Sequence, residues 1–195
     1  LNVVKGLTLC ATAFDMMKTA GMDQLWRHSL GVAITAHILG TKAEMKNPEE
    51  VFVAGLLHDI GKVVLYVKWP DVGRQITAAT TDPARSLLES EQALFDVTHA
   101  DVGGWLAASW HLPITLREPI MYHHTPAAAQ EAILQTAIVH VADILVKGLA
   151  CGNPGDDLVP PLSAPAWKLV GLDEQSLAGC LAKATEEFQT IDDYL

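Results

Sequence analysis

The sequence has few cysteines and few basic residues. Cys10, Cys151 and Cys180 stand far apart in 195 residues, without a Cys-x-x-Cys motif. This usage predicts small core side chains in a reducing cytosol, and it excludes a structural zinc site with cysteine ligands. Lysine and arginine number 13 against 23 acidic residues, which gives a formal net charge of −10. Because nonspecific nucleic-acid and membrane binding depends on basic side chains, we expect neither partner.

The sequence also lacks long apolar runs and the alternation of a strand. The sequence contains no run of about eighteen uncharged apolar residues, which a transmembrane helix would need. It also has no basic segment followed by an apolar one, as a signal peptide would. Half of the residues are hydrophobic, and they recur at helical spacing. We therefore predict an all-α fold in a single cytoplasmic domain over residues 1–195. Since the chain begins with Leu1 rather than Met, we expect it to be part of a longer protein.

Capping and breaking residues give the helix boundaries. Asp23 is a candidate N-cap, Asn47-Pro48 is a start signal, and Thr98 with Asp101 forms a capping box. A loop is predicted over residues 152–166, where glycine and proline cluster. The first two predicted helices cover residues 3–20 and 23–41, and Asn47-Pro48 opens the third. The next two run from Asp82-Pro83 through Phe95 and from Thr98 to Trp110. The last three cover residues 114–124, 127–150 and 173–188.

An adjacent histidine and aspartate end an apolar run at His58-Asp59. Burying a carboxylate beside an imidazole is costly unless both are compensated, and a bound cation would turn the carboxylate into a ligand. Gly55 and Gly61 flank the pair and allow other backbone to approach closely. A salt-linked pair in the core, without a metal, is the alternative interpretation.

Further polar residues interrupt the apolar faces of other predicted helices. A single histidine of this kind is more often a core residue with one hydrogen bond than a metal ligand. Together, histidine nitrogens and carboxylate oxygens suit a pair of divalent metal ions, with Asp59 as the natural bridge. His37 lies on the opposite side of its helix from His28, and we assign the site to His28. The set is His28, His58, Asp59, His99, His123, His124 and Asp143.

The order of these motifs resembles the HD superfamily of metal-dependent phosphohydrolases, and more closely the HDOD domains of bacterial signalling proteins. The resemblance covers almost the whole chain and implies an HD-like helical bundle. HDOD domains normally have further helices before the point where this chain begins. The segments that carry the resemblance are Leu25-Trp26-Arg27-His28-Ser29, Ala54 to Gly61, Thr98-His99-Ala100-Asp101-Val102-Gly103, Trp110-His111-Leu112-Pro113, Tyr122-His123-His124 and His140-Val141-Ala142-Asp143.

The resemblance implies that the seven residues are metal ligands, as in the binuclear HD-GYP cyclic-di-GMP phosphodiesterases. It also implies that Lys62 contacts substrate phosphate and, with Asp59, is catalytic. Two such ions would activate water and neutralise charge on a phosphoryl oxygen. His140 would support the ligands, while His37 and His111 are ordinary residues. Two features depart from those families. Thr125-Pro126 replaces the segment that ends in Gly-Tyr-Pro, which argues against cyclic-di-GMP, and Gln24 argues against a third metal.

Two functions remain open. One is a signalling module with a structural or ligand-sensing metal site, acting through signalling proteins such as a fused or separate receiver domain. The other is a phosphohydrolase that acts on a nucleotide or cyclic dinucleotide. Only Arg27, Lys62 and Arg117 provide positive charge near the motifs, which favours the module. For both we expect two divalent ions, iron or manganese, with zinc and magnesium as alternatives. A buried polar network without metal ranks last because it is costly.

Overall fold

The computed structural model describes residues 2–19, 22–80 and 85–192, and the regular structure in these ranges is helical, without a strand. The predicted all-α class is confirmed. A 3-10 turn at Pro126–Ala128 lies between the eighth and ninth helices. The α-helices are α1 (Asn2–Thr19), α2 (Asp23–Lys42), α3 (Pro48–Leu57), α4 (Ile60–Lys68), α5 (Pro70–Ala79), α6 (Leu87–Phe95), α7 (His99–Ser109), α8 (Ile114–Tyr122), α9 (Ile133–Gly148), α10 (Ala164–Val170) and α11 (Glu174–Asp192).

Helix α2 lies at the centre of the bundle. It packs against α3, α9 and α11, while α3 also contacts α8 and α9. The side chains of α2 are buried on nearly every face between Leu25 and Gly40, as expected for a helix that is apolar all round. Val32, Leu39, Leu57 and Ile138 are completely buried in the main core. Each large aliphatic side chain of this kind stabilises the fold by about 1.5–3 kcal/mol.

A smaller apolar cluster holds α5 and α6 on the side of the bundle. Leu65 of α4, Ile76 of α5 and Leu87 of α6 are buried in it, and Val102 of α7 packs against them. Helix α7 in turn packs against α4 and α8. Helices α4 and α7 each contribute side chains to the main core and to this second cluster, and so connect the two.

Two glycines let helices approach closely around His58-Asp59. A Cβ atom on Gly55 would lie 2.9 Å from the Cα of Ala33 in α2, and one on Gly61 would lie 1.9 Å from the carbonyl oxygen of His99. The close approach predicted at both glycines is therefore confirmed. The backbone of α3 lies against α2 here, and the start of α4 lies against the start of α7.

Several predicted helix starts are wrong. Asp23 is the first residue of α2 and Met22 is the N-cap. Helix α5 was not predicted because its few apolar residues hide the period, although Pro70 occupies its first position. The predicted start at Asp82-Pro83 lies outside the described residues. Helix α6 begins at Leu87, where a capping box is formed by Ser86 and Glu89.

The chain around α9 also differs from the prediction. In place of one helix over residues 127–150, the 3-10 turn is followed by a non-helical segment, and α9 begins at Ile133. The carboxylate of Glu118 accepts hydrogen bonds from the backbone N–H groups of Gln130, Glu131 and Ala132. These bonds satisfy the backbone donors of the segment just before α9, so this segment needs no helical bonds of its own.

Two prolines lie within helices. Helix α8 continues through Pro119, at the cost of one backbone hydrogen bond. Pro165 lies in the first turn of α10, which is capped by Ser163 and lies partly in the predicted loop.

The cysteines are free thiols. Cys10 and Cys180 are buried, as expected for small core residues, and Cys151 is half-buried. Burial raises the pKa of the Cys10 thiol to about 12, so this thiol is protonated at neutral pH. Across the described ranges, no helix combines the length and hydropathy that a membrane span needs.

Substituting alanine for Gly61 tests the contact between α4 and α7. In an open helix the change would stabilise the protein by about 0.5–1 kcal/mol, but here the new Cβ would overlap the His99 carbonyl oxygen. We expect Gly61→Ala to lower the free energy of unfolding by about 1–3 kcal/mol, measured by urea denaturation in excess chelator. Gly179→Ala in α11, where no atom lies within 4 Å of a new Cβ, is the control and should stabilise. Equal effects of the two substitutions would contradict the close approach.

Candidate metal centre

The seven predicted site residues lie together in the structure. They come from the second turn of α2, from the junction of α3 and α4, from the first residue of α7, from the segment after α8 and from α9. Six are almost completely buried and His124 is partly exposed. The residues brought together are His28, His58, Asp59, His99, His123, His124 and Asp143.

The carboxylate of Asp59 lies between two sets of imidazoles. Its Oδ1 atom is 3.2 Å from Nε2 of His99 and 3.8 Å from Nε2 of His123. Its Oδ2 atom is 3.3 Å from Nε2 of His58 and 3.9 Å from Nε2 of His28. Each oxygen therefore faces a different set, which is the arrangement that a bridging carboxylate requires.

Three groups of side chains have donor atoms within 4.8 Å of one another and could each hold a metal ion. His28, His58 and Asp143 form one group, with Nε2 of His28 3.0 Å from Oδ1 of Asp143. A second group consists of His99, His123 and His124. The third, His58, Asp59 and His123, lies between the other two and shares a residue with each.

Buried polar atoms in the cluster lack hydrogen-bond partners. Among the described residues, these include Nε2 of His28, His58 and His123, and Oδ1 of Asp59. Leaving such atoms unpaired in the interior costs about 1–3 kcal/mol each. Bound divalent cations would satisfy these atoms, and imidazole nitrogens with carboxylate oxygens form a donor set that suits iron, manganese or zinc. The residues present therefore fit a metal centre.

Two histidines are oriented by the helices that precede them. Nδ1–H of His58 donates to the carbonyl of Gly55 at 2.7 Å, and Nδ1–H of His123 donates to that of Ile120 at 2.9 Å. Each histidine lies at the C-terminus of its helix, where carbonyl groups have no helical partner. Because a carbonyl only accepts, Nδ1 carries the proton and Nε2 is left to face Asp59.

His140 supports this arrangement from outside the cluster, as predicted. Its Nδ1–H donates to the carbonyl of His123 at 2.6 Å, and its Nε2 accepts from the backbone N–H of Ser163 at 3.0 Å. His140 therefore ties the segment after α8 to the start of α10. The two remaining histidines lie elsewhere: His37 packs edge-on against Phe52, and His111 is exposed.

Two charged residues contact the cluster, and one of them was missed by the sequence analysis. Lys62, predicted to contact a substrate phosphate, is buried and donates to Oδ2 of Asp59 at 2.7 Å. Glu91 of α6, which the sequence analysis missed, is completely buried and accepts from Nδ1–H of His99 at 2.6 Å. A glutamate inside an apolar helix, two turns before the Thr98 capping box, was the available signal.

Burial is the largest influence on the pKa values in the cluster. Burial holds the pKa of His123 and of His124 well below the usual range, so both rings are neutral and able to bind a metal. Burial opposes ionisation of Asp59, but His58 and Lys62 outweigh it and hold the pKa of that carboxyl well below its usual value. Burial likewise opposes ionisation of Asp143, but the adjacent His28 imidazole outweighs it and holds the pKa of that carboxyl well below its usual value. Both carboxylates are therefore ionised, and a buried negative charge is stable only beside positive charge or hydrogen-bond donors.

The cluster opens to solvent at His124. A cavity of about 260 Å³ is lined by Lys62, His99, His124 and Lys147, and roofed by the loop around Pro160. On the other side of His124, a cavity of about 490 Å³ lies between α6 and Tyr122. A cavity of about 1020 Å³ between α1, α4 and α5 is lined by none of the seven residues. We therefore regard the two smaller cavities as the approach to the centre.

The helical bundle and its buried His/Asp cluster agree with a match to a known protein family. The family model described as HDOD domain matches residues 1–126, and the chain belongs to this family. The matched range contains six of the seven cluster residues and ends before Asp143.

Relatives extend beyond the length of this chain. An uncharacterized protein of Treponema pallidum (strain Nichols) is 27% identical over 108 residues, which is 55% of this chain. This chain spans only 21% of that relative. An HDOD domain protein of unknown function from Geobacter sulfurreducens superposes with a TM-score of 0.82 at 25% identity, over 100% of this chain and 72% of its own.

Two further solved structures share the fold. One, named "Putative signal transduction protein", from Marinobacter aquaeolei VT8, has a TM-score of 0.74 at 18% identity, and 87% of this chain and 38% of that chain are covered. The other, named "Putative phosphohydrolase", from Shewanella amazonensis SB2B, has a TM-score of 0.64 at 25% identity. The match covers 84% of this chain and 62% of that chain.

Removing the His140 imidazole tests its supporting role. His140→Ala leaves the His123 carbonyl and the Ser163 N–H without their partner, so we expect the free energy of unfolding to fall by about 1–3 kcal/mol. The exposed His111 has a positive φ, which asparagine tolerates, and His111→Asn should change stability by less than about 0.5 kcal/mol. Urea denaturation of both variants measures the difference. Equal stabilities would show that His140 does not hold this segment.

Proposed function

We propose that the chain is a metal-dependent HDOD signalling domain whose buried centre holds two divalent ions, iron or manganese before zinc or magnesium. One observation carries the proposal: the two oxygens of Asp59 face separate sets of imidazoles, and among the described residues Nε2 of His58 and Nε2 of His123 have no hydrogen-bond partner. One ion would be held by His28, His58 and Asp143, the other by His99, His123 and His124. Asp59 would bridge them.

The charges around the cavity favour ligand sensing over catalysis. Lys62 is bound to Asp59, and Lys147 donates to Asp156 at 3.0 Å. Both lysines of the 260 Å³ cavity are therefore already paired with carboxylates, and neither is free to neutralise a transferring phosphoryl group. A phosphorylated nucleotide would be attracted mainly by the bound ions. Signalling proteins, including a receiver domain, are the proposed partners, in the cytoplasm.

Catalysis is the second candidate function. The partly exposed His124 gives the cavity access to the centre, and the Shewanella amazonensis protein that shares the fold is named for phosphohydrolase activity. Bound divalent ions would supply an activated water and neutralise phosphoryl charge. In that case Asp59 would bridge the ions, and Lys62 would hold one Asp59 oxygen in place while its ammonium group balances charge at the edge of the cavity.

Elemental analysis tests the metal proposal. We expect the purified protein to contain close to two transition-metal ions per chain, and Asp59→Ala to lose most of that content because the bridge is removed. Asp71→Asn, which removes a carboxylate from the exposed surface of α5, is the control and should keep the full content. A folded, metal-free protein that takes up no added metal would overturn the proposal.

A phosphodiesterase assay separates the two functions. Bis-(p-nitrophenyl) phosphate and cyclic-di-GMP are incubated with the Mn²⁺-loaded protein, and product is measured against the Asp59→Ala variant. The signalling proposal predicts no turnover of either compound. Turnover by the wild type that disappears in Asp59→Ala would instead establish the phosphohydrolase.

A further inference from the structure

Glu91 is a buried carboxylate outside the predicted ligand set, and it contacts one member of that set. We propose that Glu91 is a positioning residue, which holds His99 as a ligand of the ion on the α7 side of the centre. The inference rests on the proposed metal binding, and it assigns a role to α6, a helix that supplies none of the seven predicted ligands.

One carboxylate oxygen makes both contacts. Oε2 of Glu91 accepts from the backbone N–H of His99 at 2.8 Å and from its Nδ1–H at 2.6 Å. With the ring proton held on Nδ1, Nε2 of His99 is directed into the cluster, 3.2 Å from Oδ1 of Asp59 and 2.9 Å from Nε2 of His124. The ring is therefore fixed in both position and tautomer.

The position of His99 in its helix explains why a carboxylate is needed. His58 and His123 lie at helix C-termini and use carbonyl groups of their own helices. His99 is the first residue of α7, where a helix presents unpaired N–H groups and no carbonyl is left to accept from Nδ1. An acceptor must come from another element, and the N-terminus of a helix favours a negative one.

Burial argues that the carboxylate has more than a packing role. Glu91 is 0% exposed, and its second oxygen, Oε1, has no hydrogen-bond partner among the described residues. An apolar residue of similar volume would cost less at a position with only a structural role. A carboxylate on the far nitrogen of a metal-bound imidazole makes the ring a stronger ligand, and its loss typically weakens metal binding 10–100-fold.

The same helix is connected to the loop that roofs the 260 Å³ cavity. Asp156 of that loop accepts from the backbone N–H of Leu87, the first residue of α6, at 2.7 Å, and also from Lys147. Helix α6 thus links the roof of the cavity to the orientation of His99.

Two substitutions at Glu91 and one control test this role. Glu91→Gln keeps an acceptor but removes the charge, and Glu91→Leu removes both. Glu89→Gln removes an exposed charge from the same helix and preserves the capping box with Ser86. Mn²⁺ affinity is measured by competition with a chelating dye, stoichiometry by elemental analysis, and Co²⁺ coordination by visible absorption. Unfolding of the metal-free proteins is followed in parallel.

We expect the wild type and Glu89→Gln to bind two ions equally. In Glu91→Gln one ion should bind 10–100-fold more weakly, and in Glu91→Leu one ion should be lost while the other is retained. The Co²⁺ spectrum should change only in the Glu91 variants. Metal-free Glu91→Leu should unfold at a lower urea concentration than the wild type, because the backbone N–H and Nδ1–H of His99 lose their acceptor. Unchanged affinity with reduced metal-free stability would overturn the inference and indicate a structural role. Absence of metal from the wild type would instead refute the proposed function.

Discussion

The buried carboxylate of Asp59 is the interaction on which the centre depends. It is 1% exposed and lies among four imidazoles and one ammonium group. A charge at this depth is stable only when opposite charge and hydrogen bonds surround it. The packing around it follows from that requirement, because Gly55 and Gly61 bring α2 and α7 close enough for their histidines to reach it.

Helix ends orient the histidines with little help from loops. Rings at the C-termini of α3 and α8 donate to carbonyl groups that the helices leave unpaired, while the ring at the N-terminus of α7 donates to a carboxylate from α6. These bonds fix the tautomers, so the remaining nitrogens point into one volume. His140 then fixes the backbone of His123. The centre is preorganised because the rings of His58, His99 and His123 are each held by an atom on the outer side.

Much of this arrangement could be predicted from sequence, and the rest depended on contacts between distant residues. Polar residues that interrupt apolar helices identified the seven members of the cluster, and the Thr98 capping box identified the start of α7. Glu91 was missed because its partner is set by how α6 packs on α7, which helical periodicity does not reveal. The start of α9 was wrong because Glu118, 12 to 14 residues away, satisfies the backbone donors before it. Lys62 resembled a phosphate-binding residue, but its pairing with Asp59 depends on the turn between α3 and α4.

The most direct measurement is anomalous diffraction from crystals of the protein as purified, with data collected on both sides of the iron and manganese absorption edges. We expect two anomalous peaks, one on each side of the Asp59 carboxylate. The first should lie among His28, His58 and Asp143, and the second among His99, His123 and His124. Imidazoles linked only to one another and to water, with no anomalous peak even after metal soaking, would contradict it.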